Sequence, residues 1–247
     1  MGDNIFQICF TDTNQGTASA NLIIEKELGT NIGVIYDTSS AYSAGIYETF
    51  KVVAEDQNMN IVCVETFTDA NKSDLTTQVT KCQEAGADLV FLPFYATEAA
   101  QVLTYANKIG YAPIFFGCDG MDGILEVENF DASLAEGLIM LTPFAADAED
   151  EATKSFVSKY QEKTGVIPNQ FAADGYDVVY ALYYAAQAAG IDGKTSPETA
   201  CAEIMAQFTN MTFDGLTGKG IEFAADGTVA KDPTAVVVMD GAYVGIG

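Results

Sequence analysis

Asp119 sits in the stretch FFGCDGMDG (residues 115–123), where an apolar run gives way to a carboxylate. Two phenols fall at comparable places: Tyr42 follows VIYDTSSA, and Tyr95 follows VFLPF. If each run is a buried parallel strand, the three side chains stand at one rim, because open parallel sheets bind ligands outside the carboxyl ends of their strands. A carboxylate there can hold an ammonium group through charge-assisted hydrogen bonds, and phenol faces add apolar area and attraction for a cation. The set suits a small zwitterion. The same residues also read as punctuation. Polar residues after strands cap helices, Asp119-Gly120 is turn chemistry, and aromatic residues at strand ends pack a rim.

Other chemistry is poorly supplied. The chain contains no His, which removes the usual general base, the commonest metal ligand and any Ser-His or Cys-His pair. Its five Cys (Cys9, Cys63, Cys82, Cys118, Cys201) are odd in number and lack CxxC spacing, so they read as packing or surface residues and neither a disulfide framework nor a zinc site. Gly215-Leu216-Thr217-Gly218 lacks the strand–loop–helix setting of a phosphate loop. Glu126, Glu128 and Asp131 do not have the spacing of a calcium loop. Asp119 with Asp122 reads as a pair of turn acids sooner than as an acid–base pair. No catalytic residue, metal or cofactor is expected.

Eleven Lys and Arg face 35 Asp and Glu, for a net charge of −24. A nucleic-acid partner would need a basic footprint, which this balance excludes. The acids are scattered and read as a solvated surface. No apolar window is long enough to span a membrane, and Met1-Gly2-Asp3 opens nothing resembling a signal peptide.

The elements that must position the rim residues follow from apolar runs and their punctuation. Strands are predicted at Ile5–Phe10, Asn31–Asp37, Asn60–Phe67, at ADLVFLPF and at APIFFG. Helices are predicted from Asp12 or Thr13 to Leu28, over Tyr42–Gln57, from a capping box at Ser73 to Gly86, and over TEAAQVLTYANK before Gly110. Repeated strand–helix units mean parallel βαβ connections, so the fold class is α/β, a doubly wound parallel sheet. Beyond Phe144 the pattern changes to helices at 149–164 and 170–189, then a third capped by Ser196 with Pro197 at its first position. In the tail, Asp226-Gly227 and Asp240-Gly241 signal hairpins.

In this order, FTDTNQGTASANLI, IGVIYDTSSAYSAGIYETF, FLPFYATEAAQVLTYANKIG, PIFFGCDG, FVSKYQEKTGVIPNQFAADGYDVVYAL and FDGLTGKGIEFAADG resemble the type I periplasmic solute-binding proteins, specifically the branched-chain amino acid (Leu/Ile/Val) receptors of ABC transporters. Ser43 departs from the usual Gly of the family's loop. The resemblance implies a non-enzymatic, extracytoplasmic protein that delivers a small amino acid to an ABC permease. It implies that Tyr42 covers the ligand, Tyr95 lines the second lobe and Asp119 receives the α-ammonium at the lobe cleft. It also implies that residues 11–142 with 219–247 form a complete lobe. Residues 149–215 are then the helices of a first lobe whose N-terminal part is missing. Those helices carry apolar residues that need a cover, and a homodimer over residues 149–189 is the simplest. A sensing or dimerisation module of the same fold, with no transport role, is the alternative; a doubly wound enzyme using Asp119 is the remote one.

Overall fold

The computed structural model describes residues 4–246; the leader reading of Met1–Asp3 lies outside them. The chain divides into two compact units, one of residues 12–145 with 233–247 and the other of residues 1–11 with 146–232.

The first unit is one seven-stranded sheet. Its strands are β1 (Ile32–Asp37), β2 (Ile61–Phe67), β3 (Leu89–Leu92), β4 (Ile114–Gly117), β5 (Ile139–Thr142), β6 (Thr234–Met239) and β7 (Ala242–Ile246), in the order β2-β1-β3-β4-β5-β6-β7. The first five run parallel, and β6 and β7 join antiparallel. The sheet is therefore mixed, with a hairpin closing an otherwise doubly wound arrangement. Strands buried on both faces read as continuous apolar runs, and LVFL of β3 and IMLT of β5 are buried at every position. Helices α1 (Asp12–Glu25), α2 (Ala41–Asp56), α3 (Thr76–Glu84) and α4 (Ala96–Lys108) cover the two faces. One face packs Phe50, Phe91 and Phe116 with residues of α1 and α2; the other packs Phe67, Leu92 and Phe94 with residues of α3 and α4. Gly16 lets α1 and α2 touch: a Cβ there would collide with the Ile46 carbonyl and lie 2.8 Å from the Phe50 nitrogen.

The second unit holds α5 (Glu151–Thr164), α6 (Gln170–Ala188) and α7 (Pro197–Phe208). Ser196 caps α7 with Pro197 behind it, as the sequence predicts. Ile221, Phe223 and Val229 bury against Ala181, Ala185, Phe208 and Phe213. Residues 219–232, expected with the sheet, therefore group with the helices. The GLTG stretch closes around a buried carboxylate. Asp177 accepts hydrogen bonds from the Leu216 and Thr217 nitrogens (2.8 and 2.9 Å) and from the Thr217 hydroxyl (2.6 Å). Lys231 donates to that hydroxyl and to the Ile8 carbonyl at 2.6 and 2.8 Å.

Three sequence expectations fail locally. Ile5–Phe10 is not a strand: the Gln7 nitrogen donates to the Gly227 carbonyl, but among the described residues no strand lies beside it, and Phe6 and Ile8 pack on the Phe208–Phe223 cluster. Ser73 does not cap α3, which starts at Thr76 behind Leu75 with no side-chain cap; Asp74 accepts from the Thr76 nitrogen instead. Asp226-Gly227 turns the chain between Phe223 and Val229, which share one isolated antiparallel bridge, and not between strands, whereas Asp240-Gly241, with φ of 52° and 74°, turns the β6–β7 hairpin.

Candidate functional site

The strand ends β1, β3 and β4 bring Tyr42, Tyr95 and Asp119 together. After β1, Asp37 accepts from the Ser39 nitrogen and hydroxyl, and Ser40 caps α2. That turn puts Tyr42 in the first turn of α2. Ser43, which the family resemblance marks as a departure from Gly, is buried and accepts from the Asp37 nitrogen at 2.9 Å. Tyr95 is the residue before α4, in extended conformation, and half of its surface faces solvent. Asp119 opens a 3-10 turn, Asp119–Met121, directly beyond β4.

The Tyr42 hydroxyl donates to Asp119 Oδ1 at 2.5 Å and accepts from the Gly120 nitrogen at 2.9 Å. The rings of Tyr42 and Tyr95 stack, with centroids 5.0 Å apart and planes 22° from parallel. Gly120 is what permits this. A Cβ there would meet the Tyr42 oxygen at 2.8 Å and a Tyr95 ring carbon at 3.0 Å. Burial, with the neighbouring Cys118 and Asp119, holds the Tyr42 phenol well above its ordinary range, so it stays a neutral donor.

Two residues of the site were not legible as such in the sequence. Gln15, buried on α1, accepts from the Asp119 nitrogen at 3.1 Å and anchors the turn. Asp12, read only as a possible helix cap, is a second carboxylate close enough to Asp119 to feel its charge. Burial and that like charge raise Asp12 above the usual carboxylate range. Asp12 and Asp119 are 107 positions apart, so no local motif could join them; only the crossing of α1 behind the end of β4 does.

Two acids beside two phenols make a cationic guest the favourable one, since an ammonium would relieve the repulsion between the carboxylates. Among the described residues no group of His, Cys, Asp and Glu side chains could hold a metal ion, and no helix is long and apolar enough to cross a membrane. Next to this rim, Tyr95 also borders a cavity of about 270 Å³ shared with Asp37, Ser39, Asp69, Lys72 and Glu98.

A family model described as periplasmic binding protein matches residues 1–242. Among curated proteins, the Leu/Ile/Val-binding protein of Escherichia coli K12 is 25% identical over 218 residues, which is 86% of this chain and 57% of that protein. Among solved structures, a leucine-binding protein from Thermotoga maritima superposes with a TM-score of 0.81 at 24% identity, covering 97% of this chain and 66% of that one. The substrate-binding protein of a branched-chain amino acid transporter from Streptococcus pneumoniae, solved with isoleucine, gives 0.80 at 26% identity, covering 95% and 66%. The chain thus spans 57% of the length of that Escherichia coli protein and of the Leu/Ile/Val/Thr-binding protein of Salmonella typhimurium.

Proposed function

The chain belongs to the periplasmic binding protein family, and from that premise we propose that its sheet unit holds the ammonium end of a small amino acid such as leucine, isoleucine or valine for an ABC transporter outside the cytoplasm. Asp119 and Asp12 receive the ammonium, while the stacked Tyr42 and Tyr95 rings cover it. The protein binds and delivers; it performs no reaction. The observation that carries this reading is the Tyr42–Asp119 hydrogen bond at 2.5 Å, which aims a carboxylate at the rim with Asp12 behind it. No basic side chain belongs to this set of residues, so the ligand carboxylate must be gripped by groups outside it. The test is calorimetry with leucine, isoleucine, valine and 4-methylpentanoate, which is leucine without its amino group. The amino acids should bind and the des-amino analogue should not. Equal binding of leucine and the analogue would refute the assignment of the carboxylates.

We also infer that a second copy of the chain covers α6. Phe171, Tyr176, Val178, Val179, Tyr180, Leu182, Tyr183 and Tyr184 are all exposed, Val179 by 63% and Tyr183 by 55%. An aromatic side chain buries about 150–250 Å² when covered. Half-exposed aromatic and aliphatic residues in this number offer on the order of 800 Å², the share one partner contributes to a standard interface. Light scattering at micromolar concentration should give a dimer, and a clean monomer would overturn this.

A further inference from the structure

Cys63 and Cys82 have no part in the rim, yet their sulfurs lie 3.3 Å apart. Cys63 is on β2, the edge strand of the sheet, and Cys82 is on α3. Two further contacts pin α3 to β2 on one side of the pair, beyond Cys63 on the strand and before Cys82 on the helix. Lys81 meets Glu65 at 2.9 Å, and the Gln78 side-chain nitrogen donates to the Thr66 carbonyl at 2.9 Å. The thiols are thus held face to face by the packing around them. Gly33 on β1 makes room for this: a Cβ there would stand 3.2 Å from the Cys82 sulfur. A disulfide needs the sulfurs about 1.3 Å closer, at roughly 2.0 Å.

We propose that Cys63 and Cys82 are a redox site, a dithiol that a small-molecule disulfide such as glutathione disulfide converts to an intramolecular bond. Cys63 is half-buried and Cys82 fully buried, so the reagent reaches Cys63 first. The Cys63 sulfur, after losing its proton, attacks one sulfur of the reagent and expels one thiol, leaving a mixed disulfide. The Cys82 sulfur, after losing its proton, then attacks the Cys63 sulfur and expels the second thiol. The two cysteines lose two electrons and two protons, and the reagent gains both to become two thiols. Outside the cytoplasm, where the family places such proteins, thiols of this kind meet oxidants. The new bond closes the chain from β2 through the 68–75 loop to α3. That loop carries Asp69 and Lys72 beside Tyr95, so oxidation tethers the segment next to the rim. The inference does not depend on which ligand the rim takes.

The full-length chain, folded and reduced, is incubated with glutathione disulfide, trapped with N-ethylmaleimide and digested without reductant. The expected product is a pair of peptides joined through Cys63 and Cys82, two hydrogens lighter than the reduced peptides. Its melting temperature should rise by on the order of 5 °C, a gain that dithiothreitol reverses. Cys82→Ala should stop at glutathione on Cys63, and Cys63→Ala should leave Cys82 unreacted. The exposed Cys201 is changed to Ser in every sample to prevent links between chains. Both cysteines trapped by maleimide after prolonged incubation, or a mixed disulfide on Cys63 that never closes in the chain with Cys82 intact, would overturn the proposal.

Discussion

Asp119 is the residue on which the binding reading turns, and its removal can be separated from stability because the side chain is only half-buried. Asp119→Asn keeps an acceptor for the Tyr42 hydroxyl but loses the charge. A hydrogen bond to a charged group contributes about 1.5–3 kcal/mol, so leucine affinity should fall about 10- to 100-fold in calorimetry with little change in melting temperature. Asp12 adds a pH signature. Its carboxyl is raised by burial and by Asp119, so in the free protein it begins to take up a proton above the usual carboxylate range. An arriving ammonium favours the ionised form and lowers that pKa. Binding should therefore release protons at mildly acidic pH, and affinity should rise with pH until Asp12 is fully ionised. Titrations in buffers of different ionisation enthalpy read this directly; proton uptake in place of release would contradict it. The three rim residues were legible in the sequence because each follows an apolar run. Asp12 and Gln15 were not, because their role is set by where α1 passes, a distant event along the chain.

At the scale of elements, β1 to β4 and α1 to α4 were legible because apolar runs alternate with Gly, Asp and Ser at regular spacing. β5 was not: its four residues, Ile139–Thr142, follow an irregular stretch of three short 3-10 turns that gives no period. Ile5–Phe10 has the composition of a strand but bonds through the Gln7 nitrogen to the Gly227 carbonyl and forms no ladder among the described residues, which a local pattern cannot reveal. Two substitutions test how elements are joined. Gly16→Ala should push α1 off α2, because the obstacle is the Ile46 carbonyl and not a flexible side chain. Overpacking of this kind costs about 1–3 kcal/mol, read as an earlier denaturant midpoint. Asp177→Ala strips the acceptor from the Leu216 and Thr217 nitrogens. At roughly 1–3 kcal/mol for each orphaned group, it should lower the melting temperature of the unit that holds α6 while leaving the rim's ligand affinity intact.

For the whole molecule, net charge and the exposed α6 face oppose each other. Two copies each carrying −24 repel, and salt screens that repulsion while leaving apolar burial in place. The dimer fraction measured by light scattering should grow as sodium chloride rises from about 0.05 to 0.5 M, and Tyr183→Lys should reduce it at every salt concentration. The order in which the chain leaves the ribosome meets another feature, the place of β6 beside β5. The two strands pair residue for residue from Ile139 with Val237 to Thr142 with Thr234, although helices α5 to α7 are synthesised between them. Until that late hairpin emerges, the nascent sheet exposes a bare and largely apolar flank, open to pairing with any other strand. Losing the final β6–β7 segment would thus do more harm than its short length suggests: it would leave a sticky seam along β5, and the shortened chain should clump during refolding.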